Sequence, residues 1–360
     1  MSNQSGQQRA WSAAGIAALA VAVVVAISVL IGGGGDRDSD RTSDNASGPS
    51  TASALADGQR WMSFRDVEVG VPEAWPLDDS SSRPDCVHGA EDGRSWGVPD
   101  HHYVEVSTGF GGVAAVGCMP TEQPADMPSA FGVLPFGLWQ SHVTLSDPNT
   151  DNPDGTWTYR DWTLTRATAG DVQISVLESP ADAGLASGVT ASLRVVTTNV
   201  DGCPVEADVE RAGFQRPEAP GVPTANFDGV VAVCQYDRSG ATPSGLVGSR
   251  QITGVAARRL VDAIGAAPDG GGPDRPQNCT HDEFGDTGIL LRFLPSDSVT
   301  RDGSFPEAYV YYDWCFGNGI IDSSDERALT VADCRPLFGG TVRLWTTQSN
   351  VWPLCAESDR

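Results

Sequence analysis

The sequence predicts a strand-rich α+β fold, with an N-terminal transmembrane helix followed by two disulfide-stapled ectodomain modules, on three observations. Apolar residues alternate with polar ones in short runs broken by Gly, Pro and Asp, the pattern of half-buried strands. A few segments instead space their apolar residues as a helix does. Eight cysteines, an even number, all lie C-terminal to one long uncharged stretch.

Residues 1–9 form a short tail, too short to carry a signalling domain. Residues 10–31 read AWSAAGIAALAVAVVVAISVLI, without a charge. At about 1.5 Å per residue such a helix covers a hydrocarbon core of about 30 Å. A cleaved signal peptide has an apolar stretch of roughly 7–15 residues. This one is longer, which favours an uncleaved anchor over a cleaved signal. Residues 32–59 are Gly, Ser, Asp and Thr with little to bury, and read as a flexible tether of about 30 Å root-mean-square reach.

The first module spans 60–203. Val67, Val69 and Val71 alternate with polar or small residues up to Pro72 and predict a strand. Further strands are expected at Tyr103–Ser107, Val113–Cys118, His142–Leu145, Thr156–Thr165 and Val172–Glu178, then a helix over Pro180–Leu193 and a strand at Arg194–Thr198. The second module spans 204–360, with strands expected at Val230–Tyr236, Ile289–Leu294, Ala308–Cys315 and Thr341–Trp345. Between them GVAARRLVDAIGAAP gathers Val255, Ala256, Leu260, Val261 and Ile264 on one side of a helix that Gly265 and Pro268 end.

The cysteines are Cys86, Cys118, Cys203, Cys234, Cys279, Cys315, Cys334 and Cys355. None forms a C-x-x-C pair and only five His are present, so zinc spacing is absent and disulfides are the better reading. Sequential pairing is the simplest connectivity; the others stay open. Oxidised cysteines place everything after the span outside the cytoplasm.

Formal net charge is −24, and every basic residue is Arg. Such a surface lacks the clustered positive charge that phosphate backbones require, which argues against a nucleic-acid partner. Lys-free, Ala/Gly/Asp/Arg/Val-rich usage is that of a GC-rich bacterial genome.

The segments GCPVEADVE, VCQYDRSGATPSGLVGSRQITGVAARRLVDAI, NCTHDEFGDTGILLRF and AYVYYDWCFGNG, with VPEAW, GCMP and FGVLPFGLWQSHVTL before them, together resemble uncharacterised membrane-anchored or secreted actinobacterial cell-envelope proteins with cysteine-framed ectodomains. The resemblance covers most of the chain after Arg60. It implies an envelope location and an α+β module, and carries over no catalytic residue.

Candidate chemistry is sparse. DPNTDNPDG places Asp147, Asn149, Asp151 and Asp154 at near-alternate positions, as oxygen ligands stand in a calcium loop. Asn152 stands where an EF-hand has Gly, and Thr158 where it has the bidentate Glu, so the same stretch also reads as a solvated turn. His101 and His102 are adjacent at a strand start and point to opposite faces, which disfavours a shared metal even with His88 nearby. No G-x-S-x-G elbow occurs, and S-x-x-K is impossible without Lys. Tyr312, Trp314 and Phe316 fall on one face of a strand, where they line a sugar or peptide surface or, more often, pack a helix such as Val255–Ile264. The expectation is a non-enzymatic binding or sensory module of the cell envelope, held to the membrane by residues 10–31 and facing a cell-wall component or envelope protein, with no cofactor other than the candidate calcium. An envelope hydrolase working on polysaccharide or peptidoglycan through a carboxylate pair is the alternative.

Overall fold

A computed structural model describes residues 55–78, 99–107, 124–132, 134, 136–211, 213–223, 227–238, 245–274, 285–295, 305–344 and 351–356. The anchor expected over 10–31, most of the tether, the strand expected at Val113–Cys118, and Cys86, Cys118, Cys279 and His88 lie outside these residues. Among the described residues no helix is long and apolar enough to cross a membrane.

The fold is a strand-rich α+β arrangement of three sheets with few helices. Strand β1 (Gln59–Phe64) turns at Arg65 and Asp66 into β2 (Val67–Pro72), so the expected tether stops short of Gln59. Next come β3 (Leu77–Asp78), β4 (Tyr103–Ser107), β5 (His142–Ser146), β6 (Gly155–Tyr159), β7 (Trp162–Ala169) and β8 (Val172–Glu178). They form one sheet in the order β3-β4-β5-β8-β7-β6, its first three strands parallel and the rest antiparallel. The single strand expected over Thr156–Thr165 is instead the β6–β7 hairpin. Arg160 and Asp161 take φ of 47° and 67° at its tip, where Asn-Gly is the usual sequence signal, so nothing in the composition marks the turn.

The helix expected over Pro180–Leu193 is shorter. A 3-10 turn at Pro180–Asp182 ends at left-handed Gly184 (φ 96°), from which α1 (Leu185–Ser192) starts afresh. Strand β9 (Arg194–Val195) then pairs with β2, completing the three-stranded sheet β1-β2-β9.

The third sheet is antiparallel, in the order β11-β10-β12-β13-β14-β15. Its strands are β10 (Val230–Asp237), β11 (Gly245–Ile252), β12 (Thr287–Leu294), β13 (Glu307–Tyr311), β14 (Gly319–Ile321) and β15 (Glu326–Arg327). Helix α2 (Gly254–Ala266) follows β11 as the spacing predicts and buries Leu260, Val261 and Ile264, but in its first turn Ala257 is buried and the expected Val255 and Ala256 are exposed. Short helices α3 (Val331–Cys334) and α4 (Trp352–Cys355) close the chain. Residues 341–344 form no strand; Val342 makes only an isolated bridge with Gly339.

Strand alternation divides two cores across the third sheet. Val231, Val233, Ile289, Leu291 and Phe293 face α2, while Ala232, Cys234, Tyr236 and Leu290 face the opposite side with Cys203 and Val209. A separate core joins the β1–β2 hairpin and α1 to Val104, Val106, Val143, Leu145, Ile174 and Val176. Val247 of β11 belongs to that core, and the Arg65 amide donates to the Leu246 carbonyl at 2.7 Å. Residues Ser53–Arg360 make one compact unit.

Disulfides join Cys203 to Cys234 and Cys334 to Cys355, with Cα separations of 5.5 and 5.0 Å, both as sequential pairing predicts. The first spans the expected boundary at 203/204. Cys315 is also disulfide-bonded.

Candidate functional site

Strands β1 and β11, the turn 199–203 and the backbone at 340–341 meet around an open pocket of about 350 Å³. Two features bring these remote segments together. The Asn199 side chain accepts from the Cys203 amide (2.9 Å) and donates to Ser249 Oγ (2.8 Å), tying the turn to β11. Thr341 Oγ1 accepts from the Ser249 amide (2.8 Å) and donates to its carbonyl (2.7 Å). Gly248 permits this approach, because a Cβ there would overlap the Thr341 carbonyl.

Ser249 Oγ donates to Asp201 Oδ2 at 2.6 Å. Burial pushes the Asp201 carboxyl above its ordinary range; the Ser249 hydrogen bond opposes this, and the nearby Glu68 charge adds to it. Glu68 lies beneath the pocket wall, fully buried, and accepts from Ser63 Oγ (3.1 Å), Arg194 Nε (2.8 Å) and the Val200 amide (2.5 Å). The Arg194 guanidinium sits 3.9 Å from the Trp61 ring centroid. Arg60 and Arg250 line the pocket, each half-buried. Arg60 Nη2 donates to the Trp75 carbonyl (3.0 Å) and Arg250 Nη1 to the Phe338 carbonyl (2.8 Å). Burial lowers both guanidinium pKa values, with Glu73 opposing at Arg60 and Asp201 at Arg250.

Three of the four candidate calcium ligands, Asp147, Asn149 and Asp154, have side-chain oxygens bonded to other partners, while Asp151 contributes only its amide. Asp147 pairs with Arg65 (Nε at 2.9 Å), Asn149 Oδ1 accepts from the Asp151 amide (2.9 Å), and Asp154 accepts from the Thr168 amide and hydroxyl (2.9 and 2.8 Å). Among the described residues no group of three or more His, Cys, Asp or Glu is arranged to hold a metal ion. His101 pairs with Asp100, whereas His102 Nε2 stands 3.6 Å from Asp182 and its ring 4.9 Å from that of Trp75, so the two histidines do diverge.

Near His102 a Ser/His/Asp set convenes that the sequence does not announce. Ser141 and Ser179 both donate their hydroxyl protons to Asp182 Oδ2, at 2.5 and 2.6 Å. A nucleophilic serine hands its proton to an imidazole, and the imidazole to the carboxylate. Here the hydroxyls serve the carboxylate directly, an arrangement that holds the loop rather than activates an oxygen. Burial works to raise the Asp182 pKa, but the two hydroxyls and His102 outweigh it and hold the group below its ordinary value.

The aromatic run divides. Tyr312 faces α2, its hydroxyl accepting from Gln235 Nε2 (2.7 Å) and Thr287 Oγ1 (2.8 Å). Trp314 joins Tyr309 and Tyr311 on the opposite face, stacked on Tyr311 at 4.0 Å beneath Arg238, and Phe316 is exposed. The shared face expected for Tyr312, Trp314 and Phe316 does not form, because β13 ends at Tyr311 and the alternation lapses beyond it.

Two carboxylates outside the pocket titrate near neutrality. Burial raises Asp313 to about 7, against hydrogen bonds from Thr287; the residue is partly exposed, yet its Oδ1 is closed off without a partner. Burial likewise raises Glu210 to about 7, against the Ala207 amide and Arg65, with Glu206 and Asp237 adding to it. A raised carboxyl pKa means that the folded chain holds a proton the unfolded chain has lost, so stability is full below the unfolded value near 4.5 and falls as pH rises towards about 7. Glu210→Gln is expected to remove this fall, gaining on the order of 2 kcal/mol over wild type at pH 8 relative to pH 4. Urea unfolding of both chains at the two pH values measures it, and parallel pH dependences would refute it.

No protein-family model, curated protein or solved structure matches the chain.

Proposed function

We propose that the chain is a non-enzymatic binding module of a bacterial cell envelope, held outside the cytoplasm by residues 10–31, and that its ligand site is the pocket between β1 and β11. The observation that carries the reading is the state of the pocket's groups. Its hydroxyls are held in bonds with Glu68, Asp201, Asn199 and the β11 backbone, so none is poised as a nucleophile. A glycoside hydrolase of the two-carboxylate kind would need a second working carboxylate. Asp201 is the one carboxylate lining the pocket among the described residues, since Glu68 is fully buried and holds Arg194. What stays accessible is donor and acceptor edge in an open, partly apolar concavity, the kind of surface that holds a ligand. Bridged cysteines support the extracytoplasmic setting.

Isothermal titration of the full chain in detergent with a soluble digest of Gram-positive cell wall tests this. Wild type is expected to give saturable heat, and Gln251→Trp, which places an indole at the pocket mouth, to lose it while melting at the same temperature. The masses of the digest fragments are expected to stay unchanged after incubation. Equal binding by both chains, no saturable heat, or new cleavage products would each contradict the reading.

A further inference from the structure

The ligand's chemistry can be read from the charges of the same pocket, an inference that rests on the binding reading above. The chain carries a net charge of −24. Arg65, Arg194, Arg211, Arg216, Arg292 and Arg327 each pair with a carboxylate. Arg60 and Arg250, like Arg160, Arg166, Arg238 and Arg335, form no salt bridge among the described residues, and each gives one nitrogen to a backbone carbonyl. Both line the pocket together with Asp201, the one carboxylate among its described lining residues, whose Oδ2 is taken by Ser249. Their other nitrogens are not closed off from solvent, unlike the buried, unpartnered nitrogens of Arg65, Arg166 and Arg238.

Two guanidinium groups facing one spoken-for carboxylate make a locally positive concavity on an acidic protein. Guanidinium matches the planar or tetrahedral oxygens of a carboxylate or phosphate with paired N–H donors. Burial outweighs the one carboxylate charge near each group, Glu73 at Arg60 and Asp201 at Arg250, and an entering anion would offset what remains. The Gln251 carbonyl oxygen and the second oxygen of Asp201 stand ready to accept from hydroxyl groups. The volume of about 350 Å³ lies at the small end of ligand pockets and suits a molecule of monosaccharide size.

We infer that the pocket binds a monosaccharide-sized, hydroxylated oxyanion, its carboxylate or phosphate group held by Arg60 and Arg250 and its hydroxyls by Gln251 and Asp201.

The test titrates the full chain with glucuronate, glucose 6-phosphate and glucose, alongside the wall digest. At least one anion is expected to bind at least 10-fold tighter than glucose, and more weakly as salt rises. The two anions separate a carboxylate source from a phosphate source. Arg60→Gln and Arg250→Gln are each expected to weaken the tighter anion at least 10-fold, with Arg60→Lys and Arg250→Lys retaining part of the affinity. Comparison of the ligands on wild type alone keeps the test decisive should a variant fold poorly. If the digest binds wild type but neither anion outbinds glucose, or both Gln variants keep full affinity, the oxyanion inference falls and the binding reading stands. If the digest does not bind, both fall.

Discussion

Glu68→Gln is expected to cost about 3–5 kcal/mol of unfolding free energy, the usual consequence of removing one member of a buried ion pair. Glu68 has no exposed surface and receives Arg194, the Val200 amide and the Ser63 hydroxyl from three separate segments. A neutral amide cannot accept from all of these as an ionised carboxylate does, and it leaves the partly buried Arg194 without a counter-charge. Arg194 keeps its stacking over Trp61, so the loss is electrostatic rather than one of contact. The double variant Glu68→Gln/Arg194→Gln is expected to be no less stable than Glu68→Gln alone, since it removes the orphaned charge with its partner. Urea unfolding of the three chains provides the comparison; a loss below about 1 kcal/mol for Glu68→Gln would contradict the role assigned to this pair.

Removing the Cys203–Cys234 bridge is expected to cost about 3–4 kcal/mol, from the loop-closure entropy of its 31-residue separation. Both cysteines are buried in the core on the far side of the third sheet from α2, so the double variant Cys203→Ala/Cys234→Ala keeps small apolar groups where the sulfurs stood. The consequence reaches the pocket, because Asn199 bonds the Cys203 amide and positions Ser249 beside Asp201. The variant should therefore lose ligand affinity as well as stability. Guanidinium unfolding of the oxidised chain against the double variant measures the first effect. Coincident unfolding curves would show that the bridge adds nothing.

The parts of this architecture legible in the sequence are those in which one side chain in two or four must be apolar. Helix α2 stands out because Leu260, Val261 and Ile264 recur on one side and Gly265 and Pro268 mark its end. Strands β4, β5 and β8 stand out by alternation, as in Tyr103–Ser107. Strand β11 does not, since Gly245, Gly248, Ser249, Arg250 and Gln251 dilute its apolar pattern. Those residues are polar or small because the strand edges the pocket and Gly248 must admit the Thr341 backbone. Strand β1 is hard to read for a similar reason, since Arg60 to Ser63 all line the pocket while Met62 and Phe64 also enter the core. The pocket is thus invisible in the residue pattern: its groups come from five separated segments and form no motif. The candidate calcium stretch, by contrast, was conspicuous in composition, yet Asp147 and Asp154 spend their oxygens on Arg65 and Thr168.

An oxidised, outward-facing chain is the premise on which the binding reading depends. Alkylating intact source cells with N-ethylmaleimide before lysis, then reducing and alkylating the purified chain with a second, mass-distinct reagent, reports the state of every cysteine. All eight cysteines, Cys86, Cys118 and Cys279 included, are expected to carry the second label alone, with 203–234 and 334–355 recovered as linked peptides from an unreduced digest. First label on Cys203 and Cys234, or on Cys334 and Cys355, would mean that the chain lives reduced, and would contradict the placement outside the cytoplasm.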